Sequence, residues 1–298
     1  MGIEYLYLVA LALMGGCTTF FRKKYTQVTS GSSLTGSLFY IMAVGFISLF
    51  SYWAMAGGTL HTDSRTITYA IASSFVYVAV NVISLFSYQK VNLVLLAIFN
   101  KSLTIINWLM GILIFDETPT VTNVVSVVLL LIAVFMPLLD LKDNKKNMKI
   151  TYIIGGLLLV MNTVNSLLSK TYLMHPAVTT SHVSSMLFFT NGLTIFPPIF
   201  IMLFRYKKNP VAIKEEISKI RWPAVGCILL ACCSGNPGQL LSSMLMKMMP
   251  LVQFSILSSA LSSIVLLLVS KFLFKEKLGK STIIAFIMST IAIIMNAI

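Results

Sequence analysis

Residues 91–115 read VNLVLLAIFNKSLTIINWLMGILIF, twenty-five residues with a single charge, Lys101, near the middle. The short polar stretch Asp116-Glu117-Thr118-Pro119 follows, and then a second apolar run, TVTNVVSVVLLLIAVFMPLL, over 120–139. A helix needs about 20 apolar residues to cross the hydrocarbon of a bilayer, and an ammonium group held mid-run is costly there. Neither run alternates apolar and polar residues, so spanning helices are predicted and barrel strands are not.

The same pattern fills the rest of the chain. Runs of spanning length occur at 3–21, 34–55, 67–88, 91–115, 120–139, 150–174, 181–204, 222–246, 250–274 and 281–297. The 298 residues are 57% hydrophobic and 10% charged, with a mean hydropathy of +0.89. A soluble domain carries about 25% charged residues, so that class is excluded, as are disordered and disulfide-framed chains. The predicted fold is an all-α membrane protein of ten transmembrane helices. No connection is long enough for a separate soluble domain; the longest, 205–221, reads as a surface helix capped by Asn209, with Ile213, Ile217 and Ile220 on one face. The N-terminus lacks the basic region of a cleaved signal peptide, and its first run is long enough to span.

Charge sets the expected orientation. Connections 22–33, 89–90, 140–149, 205–221 and 271–280 hold 18 of the 22 Lys and Arg residues. The other side holds only Arg65, Lys170 and Lys247. Basic loops stay in the cytoplasm, which places both termini outside. The net charge of +13 therefore reads as an insertion signal and not as a surface for nucleic acid. The expected setting is the bacterial plasma (inner) membrane, with the lipid bilayer and a small-molecule substrate as partners.

The halves resemble each other. Phe115-Asp116-Glu117, a loop and a helix ending at Met136 match Phe274-Lys275-Glu276, a loop and a helix ending at Met295, at a constant offset of 159. The first of these loops is acidic and assigned outside, the second basic and assigned inside. Five-helix halves must insert with opposite topology, so two inverted repeats are predicted, 1–140 and 149–298. Such repeats are a transporter signature, with a substrate site near the midplane.

This architecture, with each fourth helix ending in Phe-x-Glu, resembles the drug/metabolite transporter superfamily (EamA-like and nucleotide-sugar transporter-like members). The segment Phe99-Asn100-Lys101, followed by Ile114-Phe115-Asp116 and Pro119, is similar to the Gly-Ala-Leu-Asn-Lys and Phe-Phe-Asp segments of nucleotide-sugar transporters. In that family the Asn-Lys pair lies in the ninth helix and contacts the nucleotide sugar; here it lies in the fourth, with Ala97-Ile98-Phe99 in place of Gly-Ala-Leu. Family members commonly keep both termini in the cytosol. A reversed insertion would give this fourth helix the direction of the family's ninth.

Substrate contacts are expected from polar groups inside the runs. Lys101 lies roughly 16 Å into its helix, where snorkelling is poor, and is expected to countercharge a phosphate or carboxylate. Asn100 adjoins it, whereas Asn107 lies off its face. Cys233-Ser234-Gly235-Asn236-Pro237-Gly238-Gln239, at the centre of 222–246, predicts a local helix break that exposes backbone and the amides of Asn236 and Gln239. Asn81, Asn162, Asn165, Asn191 and Gln253 add buried amides, and Tyr77 an aromatic wall, around a polar cavity. The four cysteines read as packing residues, and His61, His175 and His182 as solvated loop residues.

The function read from this pattern is secondary transport, by alternating access, of a small polar metabolite, anionic or zwitterionic. A multidrug or amphipathic-compound exporter of the same superfamily is the alternative. A membrane-embedded lipid-phosphate enzyme is disfavoured: no HExxH, DxD or paired carboxylates occur, so no catalytic residue, metal ligand or cofactor is expected. No Walker motif is present, which leaves no ATP drive within the chain.

Overall fold

The computed structural model describes residues 3–29, 34–90, 93–139, 145–218, 220–275 and 280–297; the side chains of 86–102, among others, are outside the described set. All regular structure among these residues is helical. Helices α1 (Ile3–Val28), α2 (Leu34–Met55), α3 (Ser64–Lys90), α4 (Leu93–Phe115), α5 (Val121–Leu139) and α6 (Lys145–Leu173) make up the first six. They are followed by α7 (Thr180–Leu193), α8 (Phe196–Lys208), α9 (Pro210–Ser218), α10 (Trp222–Met248), α11 (Leu251–Leu268) with a π-helical turn at Val269–Leu273, and α12 (Lys280–Ala297). Every apolar run read from the sequence contains a described helix. Seven helices are long and apolar enough to cross a membrane: α1, α2, α3, α6, α7 with α8, α10, and α11 with its π turn. The described parts of α4, α5 and α12 give shorter apolar helices, Leu103–Phe115, Val121–Ala133 and Ile283–Ala292.

Only 17% to 44% of each spanning window is buried inside the protein. The remaining apolar surface faces outward, with Phe50, Phe75, Leu113 and Trp222 each at least 70% exposed. Water would penalise that surface and lipid would not, consistent with an integral membrane protein.

The chain forms two compact units, each drawn from both halves of the sequence. One comprises 1–16, 91–170 and 244–298. In it α4 packs on α11 and α5 on α12, and these pairs are joined by α4–α5 and α11–α12 contacts. Its core is Val127, Leu130, Val252, Ile256, Ala260 and Ala292, with Ile105 and Trp108 against it. The other unit comprises 17–90 and 171–243. There α7 packs on both α2 and α3, and α2 also meets α8 and α9. Tyr25, Tyr40, Ile41, Val44, Leu85, Ala224, Ile228 and Cys232 form its core.

Three local expectations are corrected. The helix break predicted at Gly235–Gly238 does not occur: α10 runs without interruption through Pro237. A proline removes one backbone donor, and a long helix packed on its neighbours tolerates that loss. The interruption lies in the seventh run instead, where Thr194-Ile195 separate α7 from α8 just before Pro197-Pro198. Two successive prolines remove two donors and crowd two preceding carbonyls, and the run yields there. The first basic connection is also shorter than expected, because α1 extends past Arg22, Lys23 and Lys24 to Val28. Of the three isoleucines placed on one face of the 205–221 segment, Ile213 and Ile217 lie a turn apart on α9, at 3% and 39% exposed, while Ile220 lies beyond its last residue, Ser218.

Candidate functional site

In the unit containing α2 and α10, polar side chains meet in the interior of two spanning helices. The Ser48 hydroxyl donates to Asn236 Oδ1 at 2.9 Å. One turn further along α2, the Tyr52 hydroxyl donates to Gln239 Oε1 at 2.9 Å and lies 3.4 Å from the Asn236 carbonyl oxygen. The spacing explains the match: residues 48 and 52 share a face of α2, and 236 and 239 share a face of α10. Ser48 and Tyr52 are fully buried and Asn236 is 5% exposed, while Gln239 is half-buried. Both amide oxygens are thus occupied. Among the described residues the Asn236 Nδ2 is a buried donor with no partner. Burying an amide donor without a partner costs about 1–3 kcal/mol.

Further groups surround the pair. Tyr77 of α3 is in electrostatic reach of both Tyr40 and Tyr52, and Arg22 of α1 is in reach of Tyr40 and Cys232. Thr18 and Ser234 share a hydrogen bond of 2.9 Å where α1 passes α10.

The sequence-predicted residues divide as follows. Asn236 and Gln239 come together in this cluster, and Tyr77 is in electrostatic reach of its Tyr52. Asn81, 2% exposed, turns its Nδ2 onto the Tyr77 carbonyl at 2.8 Å and so serves its own helix. Asn191 is 0% exposed, bonds Leu187 O through Nδ2, and is sealed by α2. There Gly45 lies so close that a Cβ would stand 2.6 Å from Ile195 Cγ1 and 3.1 Å from the Asn191 carbonyl. Asn162, Asn165 and Gln253 belong to the other unit, are half-buried, and take no part in this network. The side chains of Asn100 and Lys101, on α4, lie outside the described residues. Asn107 of α4 is 7% exposed and reaches Ser166 at 3.5 Å.

Sequence reading missed Ser48, Tyr52 and Arg22. It also missed a second polar cluster, in the unit containing α4 and α11. Glu117, just past the end of α4, accepts the Leu251 N–H at Oε1 (2.7 Å) and the Val252 N–H at Oε2 (2.9 Å), capping the N-terminus of α11. Lys170, at the end of α6, sits 3.7 Å from Glu117 Oε1. It donates to Met246 O at 3.0 Å and Met249 O at 3.4 Å, closing the C-terminus of α10. The anion serves the helix start and the cation serves the helix end, as the dipoles require. Room for the carboxylate depends on Gly111, where a Cβ would meet Val252 Cγ2 at 2.7 Å and Glu117 Oε2 at 2.9 Å.

Two of the loop histidines are not simply solvated. The His61 and His182 rings stack at 3.7 Å with an interplanar angle of 10°. His182 closes a capping box with Thr179 at the start of α7. Beside them Asp63 caps α3, accepting from the Thr66 hydroxyl at 2.7 Å and the Thr66 amide at 3.0 Å. Those bonds hold the Asp63 carboxyl below its ordinary range, with a smaller contribution from His182. Cys17, Cys227, Cys232 and Cys233 are all free thiols. No group of three or more metal-ligating side chains occurs among the described residues.

No protein-family model matches the chain, and no curated protein matches it. Among solved structures, the crystal structure of a protein superposes with a TM-score of 0.60 over 96% of both chains at 13% sequence identity. The helical fold therefore recurs in a known structure.

Proposed function

We propose that this chain is a secondary transporter that moves a small polar metabolite, anionic or zwitterionic, by alternating access. The proposed form has ten spanning helices in two inverted repeats and both termini outside. The observation that carries the reading is the Ser48–Asn236 and Tyr52–Gln239 network. It joins a helix of the first half of the chain to one of the second, lies within spanning segments, and keeps an unfilled buried donor. Polar side chains at such depth are costly unless they serve packing or a permeant, and an open valence favours the permeant.

Local geometry supports the repeat. Asp116 and Lys275, the described non-glycine residues with left-handed backbone (φ 51° and 52°), stand 159 positions apart, the offset of the Phe-x-Glu match. Lys23-Lys24-Tyr25 and Lys170-Thr171-Tyr172 are a second matched pair. Tyr25 is 2% exposed and donates to Gly36, the third residue of α2; Tyr172 is 0% exposed and donates to His182, the third residue of α7. Within the units, α4 with α11, α5 with α12 and α2 with α7 are pairings of equivalent helices. Lys101 supplies a countercharge from α4 in this reading.

Counterflow of radiolabelled metabolites into liposomes containing the purified chain tests the function. Exchange of one or more anionic or zwitterionic solutes is the expected result, and exchange of none overturns the reading. Lys101→Gln should raise the apparent KM for the exchanged solute. A fluorescent fusion at the C-terminus reporting a cytoplasmic end would reverse the orientation.

A further inference from the structure

The outward face of α8 changes character along its length. Phe196, Phe200, Leu203 and Phe204 are spaced three and four residues apart, share one side of the helix, and are 55% to 67% exposed. Lys207 continues the stripe one turn past Leu203 and is exposed. Lys208 follows Phe204 by four residues and folds back on it, its ammonium 4.8 Å from the ring centroid. The opposite side is taken up by the protein. Pro198 is buried there, and Arg205 Nη1 donates to Thr35 Oγ1 at 2.7 Å and stands 3.8 Å from Glu216 Oε2. Of the three basic residues in the last turn of α8, one is thus held by α2 and α9. Lys207 and Lys208 take part in no ion pair among the described residues.

An exposed apolar stripe on a spanning helix lies against lipid tails, and ammonium groups at its end lie at the depth of the headgroups. From Phe196 to Phe204 the helix rises about 12 Å, and the lysines stand one turn, about 5 Å, beyond. That order, tails first and charge last, is the order of groups along one phospholipid. A zwitterionic headgroup brings its own cation, which two unpaired ammoniums repel; an anionic headgroup brings a net negative charge. We propose that the end of α8 binds an anionic phospholipid, its tails along Phe200, Leu203 and Phe204 and its headgroup phosphate between Lys207 and Lys208. The inference rests on the membrane reading of the fold and is independent of the transport reading.

Native mass spectrometry of the purified full chain, titrated with phosphatidylglycerol or phosphatidylcholine of matched tails, tests this. The wild type should hold its first phosphatidylglycerol about twenty-fivefold more tightly than phosphatidylcholine, about fivefold for each lysine. Lys207→Gln and Lys208→Gln should each leave about fivefold, and the double variant should bind the two lipids alike. Phe204→Leu, which keeps the stripe apolar but removes the ring under Lys208, should lower the preference about twofold. Lys214→Gln, which removes an exposed lysine of α9 and the same unit of charge, should leave it unchanged. A phosphatidylglycerol carrying a diazirine in its tail should label the peptide 196–208. Should the double variant fail to give a monodisperse protein, the two single variants decide the outcome. Equal binding of the two lipids by the wild type, a full preference after loss of the lysines, or label falling only elsewhere overturns the proposal. So does displacement of the bound lipid by inorganic phosphate, which would mark a site for the free anion.

Discussion

The two polar clusters are made of similar parts and end in opposite states. Around Glu117 and Lys170, one carboxylate, one ammonium and the ends of two helices complete one another: two amides point into the carboxylate and two carbonyls receive the ammonium. Around Asn236, the side-chain oxygens each accept a hydroxyl while Nδ2 has no partner among the described residues. Closure marks the first as a fastening within its unit. The second keeps one buried donor without a partner among the described residues, which a ligand completes in the transport reading proposed above.

Breaking the closed cluster should have the largest effect, and on stability. Lys170→Met leaves the Glu117 carboxylate and two carbonyls without their cation. It should destabilise the purified protein by about 3 kcal/mol, read as the shift in a thermal unfolding midpoint, while surviving molecules keep their KM. Gly111→Ala pushes a methyl group against Val252 and the Glu117 carboxylate, and should cost about 2 kcal/mol in the same assay. In the open cluster the pattern should invert. Ser48→Ala should lower stability by about 1 kcal/mol, with its larger consequence in a raised KM. If Ser48→Ala changed only stability, the contrast between the clusters would collapse. The smallest effect belongs to neither. Asp63→Ala should cost about 0.5–1 kcal/mol by uncapping α3. Because the Asp63 carboxyl titrates below its unfolded value, its contribution is full above about pH 4 and disappears as pH falls through the folded value. The wild type and the alanine variant should therefore converge in stability at low pH.

Much of the fold was legible because apolar length is a direct consequence of bilayer thickness: each run read from sequence contains a described helix, the seventh in two pieces. Asn236 and Gln239 were legible because an amide within such a run must find a partner. Their partners were not. A hydroxyl in a helix can satisfy itself on its own backbone, as Ser51 does on Ile47 and Thr163 on Leu159, so nothing in the residue type of Ser48 tells that it reaches across to α10. Lys170 was hidden for a related reason. A lysine near the end of an apolar run ordinarily snorkels to the interface; this one is 7% exposed because the carbonyl end of α10 is brought to it by tertiary packing. The prolines misled in the opposite sense, since one proline between flexible glycines left α10 whole while two adjacent prolines ended α7.

The reach of Glu117 along the chain bears on how the protein is made. Its partner amide at Leu251 is 134 positions downstream, so during synthesis the carboxylate emerges and waits through the insertion of four further apolar runs before the helix it caps exists. At the 5–20 residues per second of translation, that interval is roughly 7–27 seconds. Nascent chains stalled before residue 251 would carry this acid, and the lysine that joins it, without their final partners. Such chains should be preferentially recognised by membrane proteases, whereas chains released after α11 has inserted should persist.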